Sequence, residues 1–462
     1  MFFSPLLVLL LGVALVIVLI VVVRVNAFLA LITAAFVVSL LSPGAWDEKI
    51  GRAVAEFGAT AGKIGVMIAL AAVIGKCLMD SGSADRIVRT CLGLIGESRA
   101  PTALMTSGFV LSIPVFFDTV FYLLVPLARS LCRVTRSHYS LSILAIGAGA
   151  ALTHTLVPPT PGPLAVAGTL GVEVGHMILI GILVGLPAAV LVYPVIKWLD
   201  RAMPLPVRPY VGETEATTSA SNDLPPFWVA IAPVLLPVLL ISANTIVKVI
   251  VKTNPGWQSI ANLTGVVGDP NAALLLAAIV AMGTVVWKRR LSLSALGRLT
   301  EEALMSAGII ILITSAGGAF GAMLRQTGIS EEIKVFAGAQ SSAGGILLLS
   351  MGFLIAAIMK TAQGSSTVAM LTTAAIMAAL FDTPESLAAH LHCHPVYLAL
   401  AIGAGSLVFC WMNDSGFWVV ARMSVWSEIE ALKLWTVTAA AAGVAAFLVT
   451  ILFALLLPGA FG

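Results

Sequence analysis

The chain has 462 residues, 59% of them hydrophobic and 10% charged, with a mean hydropathy of +1.05. A soluble domain carries roughly 25% charged residues, so this composition excludes one and points to a protein that crosses the bilayer repeatedly. The net charge of +3 is thinly spread, with no basic run interleaved with aromatics to mark a nucleic-acid surface.

In chain order, the first apolar run, 6–23, has no basic segment before it, since the first Lys or Arg is Arg24. At about 1.5 Å per residue it is long enough to span, so it reads as a retained crossing that enters from outside, not as a signal peptide. Further crossings are expected at 26–43, 61–79, 143–168 and 176–196, then 227–250, 271–287, 305–324, 398–421 and 435–457. Two other apolar stretches, 103–127 and 345–380, are broken by IPVFFDT and KTAQGSST, and read as re-entrant hairpins whose tips reach the midplane. Between them the run 199–226 is polar and rich in Pro, Ser and Thr, a linker and not a domain. The chain thus divides into a first transmembrane repeat at 1–198, a cytoplasmic linker at 199–226 and a second repeat at 227–462.

Internal similarity supports the division. LAIGAG occurs at 144–149 and again at 400–405, and the same offset of 256 carries His138 onto His394. At 245 or 246, Asn26, Ala27, Leu29 and Leu31 fall on Asn271, Ala272, Leu274 and Leu276, and Gly75 and Leu78 on Gly321 and Leu324. Five crossings per half is odd, so the halves face opposite ways. With Met1 outside, the cytoplasmic segments hold sixteen Lys and Arg and the outer ones six, which is the asymmetry that the positive-inside rule expects. The expected fold is therefore an all-α polytopic membrane protein of two inverted-topology repeats. Each has about five transmembrane helices plus a re-entrant hairpin, with one broken helix per repeat.

The broken helices carry the strongest signal. LAIGAGAALTHTLVPPTPGPLAVAG, 144–168, is apolar enough to cross yet holds Pro158, Pro159, Pro161 and Pro163, each of which lacks an amide donor and disfavours helix before it. Open backbone at that depth is tolerated only where protein buries it or it lines a watery cavity. WMNDSG, 411–416, lies at the matching place in the second half. Helix N-termini at such breaks present free amides and the positive end of a dipole to an anion. A substrate site is therefore expected from Asp118 and Thr119, Thr160 and Gly162, Lys360, Gln363, Gly364, Ser365, Ser366 and Thr367, and Asn413, Asp414, Ser415 and Gly416. Gln363 and Asn413 would read substrate hydroxyls.

Ionisable residues at membrane depth are few: Asp118, His154, Lys360 and Asp414, with Lys63 and Lys76 near span ends. Lys360 is open to two readings, a substrate contact or a structural ion pair with Asp118 or Asp414. Asp118, Asp414 and His154 are the candidates for proton coupling, since a carboxyl moved between wetter and drier surroundings changes its proton affinity. The five cysteines form no CxxC pair, and adjacent His392, Cys393 and His394 lack ligand spacing, so no metal or cofactor is expected. HExxH, DDxxD-like and GxSxG motifs are missing from the sequence, so an intramembrane enzyme is not expected.

SIPVFFD, 112–118, followed by PPTPGP, 158–163, resembles the gluconate permease family of bacterial inner-membrane transporters, and the likeness runs over most of the chain. The resemblance implies proton-coupled uptake of gluconate or a related small sugar acid, hydroxy acid or amino acid anion across the inner membrane. It also implies membership of the wider ion-transporter superfamily of inverted repeats with paired hairpins. Family members usually carry His in the middle of the second motif, where this chain has Thr160, which bears on substrate choice or proton handling. Sodium coupling is the alternative, because unwound carbonyls near Pro158 and Asn413 can coordinate Na⁺. A passive anion channel is a third reading, and the oligomeric state, a homo-oligomer included, is left open.

Overall fold

The computed structural model describes residues 4–96, 99–135, 138–208, 224–328, 342–381, 383–412 and 414–459. The regular structure among the described residues is all helical, with helices α1 (Pro5–Ile17), α2 (Ala27–Leu41), α3 (Lys49–Asp80), α4 (Ser83–Ile95), α5 (Ala100–Leu111), α6 (Phe117–Thr135), α7 (Tyr139–Leu156), α8 (Pro161–Leu170) and α9 (Val174–Ala202) in the first part. After the linker come α10 (Phe227–Thr253), α11 (Gln258–Val267), α12 (Pro270–Arg289), α13 (Leu293–Arg325), α14 (Ser342–Gln363), α15 (Ser366–Ala379), α16 (Pro384–Leu391), α17 (Val396–Gly405), α18 (Ser415–Met423) and α19 (Glu428–Leu456). Among the described residues, eight helices are long and apolar enough to cross a membrane, with α7 and α8 taken as one; α1, α2, α5 and α17 are shorter apolar helices.

The chain breaks where its prolines and glycines demand it. α7 ends at Leu156, and Pro161 opens α8 at a position where a missing amide costs nothing. Gly364, at φ +80°, makes the turn between α14 and α15, a conformation that a side chain would strain. Pro126, Pro187 and Pro194 sit inside α6 and α9 without ending them. α9 runs three residues beyond 199, where the linker was placed; 209–223 of that linker, and both chain termini, lie outside the described residues.

Burial identifies the centre. The most apolar stretch of Tyr139–Leu170 is 94% buried, against 39% for those of α3, α9 and α12, which face lipid along much of their length. Glycine makes that depth accessible. Gly149 brings α7 onto α5 so closely that a Cβ would lie 2.2 Å from the Met105 carbonyl oxygen, and Gly405 brings α17 onto α14, 2.1 Å from that of Phe353. The two copies of LAIGAG thus each seat the first arm of a hairpin. Gly149→Ala and Gly405→Ala are therefore expected to destabilise by about 2 kcal/mol or more, since backbone cannot yield as a side chain can. Gly93→Ala, with open space around it, should be neutral or better. Thermal unfolding of the purified protein reads the difference.

Polar contacts sort the helix ends onto two faces. On one, the Arg86 Nε donates to the Pro225 carbonyl (2.7 Å), the Arg289 Nε to that of Asp80 (2.6 Å), Lys76 pairs with Glu302 (3.0 Å), and His138 with Asp200 (2.8 Å). Arg208 forms a forked pair with Glu430 (2.6 and 2.7 Å) on the same side. On the other, Lys248 pairs with Glu173 (3.2 Å) and the His394 amide donates to the Pro458 carbonyl (2.8 Å). Three helices escape a reading of apolar runs: α4, α11 and α16. Each is short, and α4 and α16 carry charge among their apolar residues, so none resembles a crossing.

Candidate functional site

Three helices begin at one cavity. The first turns of α6 (Phe117, Asp118, Thr119), α15 (Ser366, Thr367) and α18 (Gly416, with its cap Asp414) line a space of about 380 Å³, within the range of small-ligand pockets. Such turns hold amides with no helical partner, the kind of group an anion can bind, and here three of them converge on one space. The end of α7 contributes His154 and Thr155, α14 contributes Lys360, and α13 contributes Ile310.

The charges divide unequally. Lys360, 2% exposed, pairs with Asp414 across 54 residues of sequence and also donates to the Gly364 carbonyl (2.9 Å). Asp414 further accepts from the Gly416 amide (2.8 Å), as the N-cap of α18, and from the Cys410 thiol (2.8 Å). Asp118 is partly exposed to the cavity and, among the described residues, makes no hydrogen bond or ion pair. His154 lies edge-on to Phe116 (6.3 Å), and its Nδ1 is buried with no hydrogen-bond partner among the described residues. The two readings of Lys360 thus resolve toward the ion pair, with Asp414 as the partner.

Hydroxyl groups divide the same way. Ser365 caps α15 by accepting from the Val368 amide (3.3 Å), and the Ser366 hydroxyl donates to the Ser406 carbonyl (2.9 Å), tying the hairpin to the end of α17. Thr367 has no such bond among the described residues and faces the cavity. Thr160 and Gly162 lie outside the lining. The Thr160 hydroxyl, 2% exposed, donates back to the Val157 carbonyl (2.7 Å), and Gly162 packs on Met370. Gly364 sits behind the cavity as the acceptor of Lys360. Asn413 and the side chains of Gln363 and Ser415 lie outside the described residues.

Several lining residues were not foreseen, Phe117, Cys410 and Trp435 among them. Trp435 stacks on Phe117 (5.5 Å between centroids) and donates its indole N–H to the Cys410 sulfur (3.1 Å). Gly147, the first glycine of the LAIGAG motif, makes room for that indole. An aromatic in an apolar span looks like a lipid-facing residue in sequence, and only that glycine offered a signal.

A helical bundle of this kind, with hairpin tips and a broken helix meeting at a charged cavity among long apolar helices, defines a multi-pass membrane transport protein. The sequence model of the GntP family permease matches residues 4–456, so the chain belongs to that family and is a transport protein rather than an enzyme. It is 36% identical to a gluconate permease of Pseudomonas aeruginosa, over 89% of each chain, and 31% identical to one of Zymomonas mobilis, over 92% of each. The high-affinity gluconate transporter of Escherichia coli is 28% identical over 94% of this chain and 95% of its own. Among solved structures the fold is similar to Neisseria gonorrhoeae MtrF (TM-score 0.67, 17% identity, 92% of this chain and 94% of that one). It is also similar to Alcanivorax borkumensis YdaH (TM-score 0.62, 15% identity, 94% and 98%).

Proposed function

We propose that the protein is a proton-coupled symporter that imports gluconate or a related small hydroxy acid anion across the bacterial inner membrane. The observation that carries this reading is the pairing of three helix N-termini with an unengaged carboxyl, Asp118, in one cavity. With Asp118 ionised the cavity holds two carboxylates against one ammonium, and an anion is repelled. With Asp118 protonated the cavity is neutral, and the amides at these helix ends that their caps leave open can hold the substrate carboxylate. Removing one charge about 6 Å from another is worth about 3 kcal/mol at an effective dielectric near 20, so anion and proton each favour the other's binding. That mutual preference is what symport requires.

The element order supports two inverted repeats. α2 and α3, the α5–α6 hairpin, the broken α7–α8 and α9 are followed in the second half by α12 and α13, the α14–α15 hairpin, the broken α17–α18 and α19. The paired roles of Gly149 and Gly405 fit the same plan. The face with Arg86, Arg289 and Arg208 is the cytoplasmic one by its charge, which puts Glu173, Lys248 and His394 outside.

Proteoliposomes test the reading. Labelled gluconate should accumulate when the outside is made acid and not when a Na⁺ gradient alone is imposed; accumulation driven by Na⁺ would replace the coupling ion, and mere equilibration would indicate a channel. Thr367→Val should raise KM for gluconate about tenfold, the loss of one good hydrogen bond to a charged group, with normal insertion. In cells, Glu385→Cys should react with impermeant thiol reagent and Arg201→Cys should not; the reverse pattern would invert the topology.

A further inference from the structure

A second cavity, of about 410 Å³, lies between α3, α8, α13 and the start of α16. Lys63, Arg325 and Glu56 line it together with Thr60, Thr169 and Thr383, so its cations exceed its carboxylates by one. Lys63 gives one hydrogen bond to the Gly168 carbonyl at the end of α8, leaving two donors for another acceptor. Arg325 is half-buried and, among the described residues, makes no hydrogen bond or ion pair. The Glu56 carboxylate attracts it across the cavity without bonding to it, so a guanidinium partly drawn from water keeps its donors open, and its planar fork matches a carboxylate.

Its place in the fold relates it to the central site. At the N-terminal end of α8, Gly162 packs beside Thr367 and Met370 of α15, and Thr367 lines the central cavity. At the other ends of the same two helices, Gly168, Thr169 and Ala378 line the second cavity. The ten residues of α8 set the two about 15 Å apart. The mouth lies at the end of α8 that leads into Glu173 and its partner Lys248, the outer face in the proposed topology.

We propose that this cavity is an outer capture site for a small hydroxycarboxylate anion, with Arg325 and Lys63 holding the carboxylate and the threonine hydroxyls its OH groups. Its identity as a station for the transported substrate rests on the symporter reading above. The central cavity attracts an anion poorly at range, because Lys360 is committed to Asp414. The surplus charge outside does so instead, raising the local concentration before the substrate moves inward.

Two measurements on the full-length protein in zwitterionic liposomes test it. A cysteine placed at Thr169 should react faster with an anionic than with a cationic methanethiosulfonate, and Arg325→Gln or Lys63→Gln should lower that ratio about tenfold, within the range of charge focusing. In transport, each variant should raise the gluconate KM for influx at the outer face about tenfold while keeping most of the maximal influx rate, and should leave the KM for efflux from the cytoplasmic face unchanged with the maximal efflux rate lowered in proportion, as reversibility of the cycle requires; Arg325→Lys should lie between. A variant that merely misfolds would alter both faces alike. An unchanged labelling ratio, or equal shifts at both faces, overturns the capture site. Absence of gluconate uptake by the wild type would sink the substrate reading separately, since the labelling ratio still reads the anion site.

Discussion

Lys360→Gln is expected to cost about 3–5 kcal/mol of stability and to abolish transport, because it strands the buried carboxylate of Asp414. Asp414→Asn should do comparable harm by stranding the ammonium, and would also weaken the cap of α18. The double variant, Lys360→Gln with Asp414→Asn, should regain most of the stability while remaining inactive. A neutral pair of similar size can hydrogen-bond in the same place, whereas a single unpaired charge there cannot be solvated. Thermal unfolding of the three purified variants gives the coupling energy directly. Additive single losses, with coupling below about 0.5 kcal/mol, would mean that the two residues are not held as a unit. Recovered uptake in the double variant would show that the pair serves folding alone.

How much of this was legible in sequence varies with the physical scale of the signal. The breaks at Pro158–Pro163, Gly364 and Asp414 were visible because proline, glycine and polar caps are incompatible with a continuous apolar helix, whatever surrounds them. The glycines that carry the internal similarity have a physical role, since Gly149 and Gly405 each sit where a methyl would meet backbone. The partner of Lys360 was not legible, since Asp118 and Asp414 both lie at hairpin or helix breaks and only packing across 54 residues chooses between them. Thr160 was read as a substrate contact because it stands among the prolines at the break. Its hydroxyl turns inward to the Val157 carbonyl, since the break leaves that carbonyl buried without a helical partner and Thr160 is the near donor. The amphipathic α4 and α16 and the indole of Trp435 escaped for a related reason: their meaning depends on which neighbour they face.

Asp118→Asn is expected to abolish uphill, pH-driven accumulation of gluconate while leaving substantial downhill exchange of labelled for unlabelled substrate. Asp414 has its oxygens engaged by Lys360, by the Cys410 thiol and by the Gly416 amide, so protonating it would break an arrangement that holds α14 to α18. Asp118 has no such bonds among the described residues and faces the cavity, so it can gain and lose a proton without disturbing the fold. Asparagine mimics the protonated carboxyl in size and in neutrality. The variant should therefore bind the anion at any pH, and its affinity should lose the dependence on outside acidity that the wild type shows. Exchange persists because the loaded carrier still reorients, whereas net uptake fails because no proton is released inside to reset the empty form. Full pH-driven accumulation by Asp118→Asn would place the proton elsewhere, and His154, whose Nδ1 is buried beside the same cavity with no partner among the described residues, would be the next residue to replace.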